Sequence, residues 1–241
     1  MEFCMDLHTH TLASGHAYNT MREMAQAAAD KGLKILGITD HAPDMPGTCQ
    51  HFYFHNLKIV PRTMCGVELF LGSEVNIRDY EGHVDLNDRE LARLDVVIAS
   101  MHTPCVQPGS KKENTQAYLK AMENPYINII GHPDDGRYPV DYQELVKGAK
   151  EHGVALELNN HSLNPVCSRA GARENDQEML KWCEKYGQPI VVDSDAHMDI
   201  YVGDFGYAKE LLEEIAFPEE LILNRSPEAI RPYVNKYKCK K

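Results

Sequence analysis

The chain has 241 residues, 43% of them hydrophobic, which suffices for one well-buried core, and its formal net charge is −11. That charge argues against a nucleic-acid surface, and no apolar run approaches the length of a membrane span. The seven cysteines are odd in number and form no CxxC pair, which disfavours a disulfide framework or a thiolate zinc site and favours a reducing, cytoplasmic setting.

Apolar, β-branched runs predict strands over 3–7, 34–39, 69–75, 95–101, 126–131, 154–159 and 189–193. The first begins almost at Met1, with no signal-peptide core before it, and runs into Asp6-Leu7-His8-Thr9-His10 and then Gly15-His16. Thr20 and Glu23 form a capping box for an Ala-rich helix that stops at Gly32. The second strand ends in Thr39-Asp40-His41. An aromatic, turn-rich stretch over 46–55 follows it and reads equally as a lid or as a packed surface loop. The third strand ends in Gly72-Ser73-Glu74, and Asn87 with Glu90 opens a short helix. The fourth ends in Ser100-Met101-His102, ahead of a helix near 113–123, and the fifth in Ile130-Gly131-His132. Asp141 with Glu144, closed by Gly153, marks a helix over 142–152. The sixth strand ends in Glu157-Leu158-Asn159-Asn160-His161 without an assigned ligand, and a helix over 175–186 closes at Gly187. The seventh ends in Asp193-Ser194-Asp195-Ala196-His197, and Ser226-Pro227 begins the last helix. The basic run from about residue 235 to Lys241 is expected to be a flexible tail on a single domain over 1–241.

This order of strand and helix implies an α/β fold with a parallel sheet and right-handed crossovers; closing it into a barrel leaves every C-terminal strand end on one rim. His8 and His10, at i and i+2, point to one face and can grip one ion together. The rim would gather His8, His10, His41, Glu74, His102, His132, Asp195 and His197, with His16 added by the first loop. Crowding imidazoles and carboxylates there without cations would bury polar groups at considerable cost, so the set is read as a metal site. His83 and His152 fall outside the pattern and are read as non-ligands. Imidazole and carboxylate donors without thiolates suit zinc, manganese or iron, with zinc the default.

The series D-L-H-x-H, T-D-H, G-x-E, H-x-P after an apolar strand, and D-S-D-A-H runs in order over residues 6–197 and resembles the polymerase and histidinol phosphatase (PHP) family of metallohydrolases. The stretches Ala13-Ser14-Gly15-His16-Ala17-Tyr18 and Asp40-His41-Ala42-Pro43-Asp44-Met45 are similar to its stand-alone phosphatase branch. The resemblance implies a distorted seven-stranded (β/α)7 TIM-like barrel with a centre of three divalent metal ions at the C-terminal ends of the strands. It implies that His8, His10, Glu74 and Asp195 hold one ion. Glu74 would bridge to a second ion held also by His102 and His132, and His16, His41 and His197 would hold the third.

Two cations bridged by a carboxylate can acidify a shared water and aim it at phosphorus, so no serine or cysteine nucleophile is needed. The function expected is hydrolysis of a small phosphomonoester, with Asp195, Glu74 and His197 as the catalytic residues. Histidinol phosphate and nucleotides are the narrower substrate possibilities. Arg169 and Arg173 are candidates for phosphate binding and Asn160 for substrate contact. An amidohydrolase-type C–N hydrolase usually bridges its metals with a modified lysine at the fourth strand, where this chain has Met101-His102. A non-catalytic metal-binding module would be expected to have lost ligands. A nuclease would show a basic, aromatic-interleaved groove, which this chain lacks.

Overall fold

Strands and helices alternate through the computed structural model, which describes residues 1–237. The strands are β1 (Met5–Asp6), β2 (Ile35–Ile38), β3 (Thr63–Met64), β4 (Val67–Leu71), β5 (Ser73–Asn76), β6 (Val97–Ser100), β7 (Ile129–Ile130), β8 (Ala155–Asn159) and β9 (Ile190–Asp193). They pair as a four-stranded sheet, β1-β2-β4-β3, and a five-stranded sheet, β5-β6-β7-β8-β9. Every pairing is parallel except that of β3 with β4, a hairpin turned at Cys65 and Gly66, both with positive φ.

The α/β class with parallel strands is as expected, but hydrogen bonding gives two sheets where the sequence suggested one ring. The single strand expected over 69–75 breaks at Gly72: β4 pairs with β2, and β5 pairs with β6. A Cβ at Gly72 would lie 2.1 Å from the Val96 carbonyl oxygen, so glycine lets the chain pass close to its neighbour while it changes partner. Isolated parallel bridges, His41 to Glu74 and Thr9 to Ala196, connect the two sheets at their C-terminal ends. Nearer the other end the Asn224 side chain stands in for a peptide group. Its Nδ2 donates to the carbonyls of Met5 (3.1 Å) and Val192 (2.7 Å), and its Oδ1 accepts from Val192 N (2.7 Å).

Both faces of the strands are buried, so they read as near-continuous apolar runs. Ile35, Phe70, Ile98, Ile129, Ala155 and Val191 join an inner cluster with Leu223, Ile230 and Val234 from the C-terminal segment. Their neighbours Leu36, Leu69, Val97, Ile130, Leu156 and Val192 pack in the outer cluster with the helices. The described start of the expected tail is docked: Asn128 Nδ2 donates to Asn235 Oδ1 at 3.0 Å, and Lys236 pairs with Glu68. The part of that tail from residue 238 lies outside the described residues.

The helices are α1 (Met21–Asp30), α2 (His51–Asn56), α3 (Asp88–Leu91), α4 (Lys111–Met122), α5 (Tyr142–His152), α6 (Ala172–Tyr186), α7 (Gly206–Glu214) and α8 (Pro227–Ile230). Capping boxes close the N-termini of α1 (Thr20 with Glu23), α3 (Asn87 with Glu90) and α4 (Ser110 with Glu113). Two helices depart from the sequence reading. α2 forms from the second half of the 46–55 stretch, and α7 forms without any side-chain cap, with Phe205 at its N-cap position. No helix among the described residues is long and apolar enough to cross a membrane.

Candidate metal centre

The ends of β1, β2, β6, β7 and β9 deliver side chains to one buried point, and Glu74, at the handover from β4 to β5, occupies the middle. Its Oε2 lies 2.7 Å from His41 Nδ1, 3.4 Å from His8 Nε2 and 3.6 Å from His10 Nε2. Its Oε1 lies 2.9 Å from His132 Nε2 and 3.2 Å from His102 Nε2. On the other side Asp195 Oδ1 is 3.3 Å from His10 Nε2, 3.6 Å from His8 Nε2 and 3.5 Å from His197 Nδ1. The His16 ring stacks on those of His41 (4.8 Å between centroids) and His197 (5.0 Å). Three trios bring their donor atoms within 4.8 Å of one another: His8, His10 and Glu74; His41, Glu74 and His102; and His10, His41 and His197. His10 thus joins the grouping in which the resemblance placed His16. His132 and Asp195 sit at the backbone corners that end β7 and β9 with φ of 28° and 54°, values few non-glycine residues adopt.

A second row of residues fixes how the imidazoles face. His8 Nδ1 donates to Glu157 Oε1 (2.6 Å), His102 Nδ1 to Asn76 Oδ1 (2.7 Å) and His197 Nδ1 to the Asp195 carbonyl (2.9 Å). Ser14 gives its own proton to Asp40 (2.7 Å), so its Oγ accepts from His10 Nδ1 at 3.1 Å. In the neutral form of each of these four rings the proton belongs on Nδ1 and leaves Nε2 with a lone pair, the form a metal requires. The Nε2 atoms of His8 and His10, His41 Nδ1 and Glu74 Oε2 are all buried without a hydrogen-bond partner. Buried polar atoms are rarely left so, and here they face one another, so the residues fit divalent cations.

Electrostatics favour the same occupant. Burial works against ionisation of Glu74 and Asp195, yet the imidazoles around Glu74, and His8 with Arg169 beside Asp195, hold both carboxyls well below the usual range. Burial, reinforced by neighbouring imidazoles, pushes His10 well down and His16 to about 4. His102 and His197 are lowered too, chiefly by burial. These rings are therefore neutral, as ligands must be. His8 goes the other way: burial would lower it, but Glu157, Glu74 and Asp195 more than offset this, marking a spot that attracts positive charge.

Glu157 was quoted in the sequence only as part of a strand without a ligand. It is fully buried, and its Oε2 also accepts from His132 N at 2.6 Å and Asn159 Nδ2 at 3.1 Å. A lone carboxylate within an apolar strand was the available signal. Asp40 likewise anchors the first loop, accepting from Thr11 N, the hydroxyls of Thr11 and Ser14, and Tyr53 OH.

Of the predicted substrate residues, Arg169 reaches the cluster. Its Nη2 donates to Asp195 Oδ2 at 2.9 Å, and its Nη1 to Ser162 Oγ (2.9 Å) and Asn159 Oδ1 (3.2 Å). Asn160 lines a cavity of about 420 Å³ that opens beside Asp195, His197 and His16, and its Oδ1 accepts from Ala208 N at 3.0 Å. The structure does not bring Arg173 to the site. Because α6 starts at Ala172, Arg173 falls in its first turn, pairs with Glu214 of α7 and does not line the cavity. The 46–55 stretch is tied down: Thr48 Oγ1 donates to the His41 carbonyl (2.6 Å) and His51 pairs with Glu90. His83 is exposed and bonded to Asp79, and the six described cysteines are unpaired.

This arrangement is a histidine- and carboxylate-lined metal-binding centre on the C-terminal strand ends of an α/β fold. The PHP domain family model matches residues 6–161, and the chain belongs to that family. It is 45% identical to a "probable phosphatase" of Clostridium novyi, over 97% of this chain and 95% of that protein. It is 49% identical to a "probable phosphatase" of Caldicellulosiruptor saccharolyticus, over 93% of this chain and 92% of that one. Among solved structures, the histidinol phosphate phosphatase of Lactococcus lactis, complexed with zinc, L-histidinol and phosphate, shares the fold. Its TM-score is 0.59 at 17% identity, covering 89% of this chain and 94% of that one.

Proposed function

We propose that this PHP-family protein is a metal-dependent phosphatase that hydrolyses a small phosphomonoester at a centre of three divalent cations. The observation that carries the reading is the set of unpartnered Nε2, Nδ1 and carboxylate oxygen atoms converging around Glu74. Nitrogen and oxygen donors without thiolates make zinc the first choice, with manganese or iron as alternatives. His8, His10, Glu74 and Asp195 would hold one ion, Glu74, His102 and His132 a second, and His16, His41 and His197 the third. Bound there, divalent cations supply Lewis acidity toward phosphoryl oxygens and lower the pKa of a coordinated water.

The chain's own residues do the rest. Glu74 would contribute to two of the ion positions, since Oε2 faces His8, His10 and His41 and Oε1 faces His102 and His132. Asp195 orients the attacking water from its Oδ1 side, while Arg169 holds Oδ2 and steadies that carboxylate. Arg169 also places a guanidinium beside the position for a phosphate, and Asn160 offers an amide to the bound ester. His197 completes the catalytic set at the mouth of the cavity. We read the two sheets as a distorted seven-stranded (β/α)7 barrel in one domain, on the strength of the bridges at both junctions. A cytoplasmic location accords with unpaired cysteines.

Inorganic phosphate release from a panel of phosphomonoesters tests the reading, with as-purified, chelated and zinc- or manganese-restored protein in parallel. Release that chelation abolishes and metal restores is expected. No release with metal demonstrably bound would refute it and favour C–N hydrolysis or a non-catalytic role.

A further inference from the structure

The cavity beside the metal centre has a wall that the phosphatase reading leaves without a task. At its inner end stand Asp195 and Ser194, both buried, and at its rim Tyr18, Val166, Met198 and Tyr201. Those four are 70%, 86%, 40% and 50% exposed. Single apolar side chains on a surface are ordinary; four around one cavity that ends at a reactive centre are not. Two are tyrosines on stiff mounts. Tyr18 N donates to the His197 carbonyl at 3.0 Å, Asp199 N donates to Asn19 Oδ1 at 3.0 Å, and Tyr201 N closes a turn on the Met198 carbonyl at 3.0 Å. These bonds tie the backbone that carries both tyrosines to the segment that carries His197. Among the described residues that line the cavity there is no lysine or arginine, and the carboxylate of Asp204 stands on the rim.

We infer that this rim selects phosphomonoesters whose leaving group carries an apolar planar ring and no second phosphate. The inference rests on the phosphatase reading and gives it a substrate class. With the phosphate at the metal centre, the leaving group extends toward the rim, where a ring can stack on Tyr18 or Tyr201 and cover Met198 and Val166. A second phosphate in that position would meet the Asp204 carboxylate with no lysine or arginine in the lining to pair with, so bisphosphates are disfavoured. Tyr18, Tyr201 and Asp204 are specificity residues; the phosphoryl group itself does not touch them.

The experiment compares kcat/KM of the metal-loaded protein for 2-phenylethyl phosphate, ethyl phosphate, glycerol phosphate and ethylene glycol bisphosphate. The first two have leaving alcohols of similar basicity, so the ring acts through binding rather than through the chemical step. The phenylethyl ester is expected to be preferred over the ethyl ester, mainly through KM. Tyr18→Ala and Tyr201→Ala should each lower that preference by about 2- to 12-fold, the range for one aromatic contact. Both residues are exposed, and a melting curve for each variant verifies folding. The bisphosphate should be the poorest substrate and should gain on Asp204→Asn. Equal efficiency on the phenylethyl and ethyl esters, or a preference the tyrosine variants leave intact, overturns the inference while phosphate release upholds the phosphatase reading. Absence of release from every ester overturns both.

Discussion

Glu157→Gln isolates the second row of the centre from the ligands themselves. The native carboxylate accepts from His8 Nδ1 through one oxygen and from His132 N through the other, both at 2.6 Å, inside a fully buried site. Glutamine keeps the shape but turns one oxygen into a donor. Its NH2 must then face either the His8 Nδ1 proton or the His132 amide, donor against donor. If His8 responds by moving its proton to Nε2, it loses the lone pair that faces Glu74. Removing such an outer partner typically costs about 10- to 100-fold in metal affinity or activity. Loss of the charge-assisted bond costs the metal-free protein about 1–3 kcal/mol, or about 2–6 °C in melting temperature at this chain length. The assay is metal content per chain after dialysis against graded chelator, with phosphate release measured on the same samples. Metal retention and turnover indistinguishable from the wild type would refute the claim that Glu157 sets the His8 tautomer.

Glu74→Ala should lose metal and turnover together, because one side chain contacts His8, His10, His41, His102 and His132; full occupancy with full activity would remove its bridging role. Arg173→Ala should leave kcat/KM within about twofold, since its guanidinium pairs with Glu214 at an exposed site, whereas Arg169→Ala should lower it by at least about 10-fold. Chelation should lower the melting temperature, since each ion held at about 1,000 times its Kd contributes about 4 kcal/mol; an unchanged melting curve would argue against resident metal. Burial opposes ionisation of Asp135, but its bonds and charge pairing with Arg137 win and lower its pKa. Its contribution is therefore present above the unfolded-state pKa and lost as pH falls through the lower folded value. The stability gap between wild type and Asp135→Asn should narrow as pH falls below about 5 in urea titrations, and a constant gap would contradict the pairing.

Much of the candidate site was legible because residues able to ligate a metal sit at fixed places relative to strand ends. His8, His41, Glu74, His102, His132 and His197 each follow an apolar run, and each reaches the cluster. What the sequence concealed depends on three-dimensional neighbours. Asn76 and Ser14 are ordinary polar residues until a histidine ring lies against them, and Glu157 looked idle because its partner, His8, follows β1 far away in sequence. The pairing of Arg173 with Glu214 was equally hidden, because nothing local announces a partner on α7. In the fold, the break at Gly72 was hidden inside one apolar run, since hydropathy does not record a change of pairing partner. The hairpin at Cys65-Gly66 lacked the usual Asn-Gly or Asp-Gly signature, and α7 lacked a polar cap. The aromatic stretch over 46–55 hid α2 because its anchors, Asp40 and Glu90, lie on other elements.

The central claim is tested most directly by adding zinc stepwise to the chelated protein, reading bound metal and phosphate release from the same samples. The account predicts that binding saturates near three equivalents per chain and that phosphate release returns as the sites fill. Release that survives chelation, or metal that binds fully without restoring release from any ester, would contradict it.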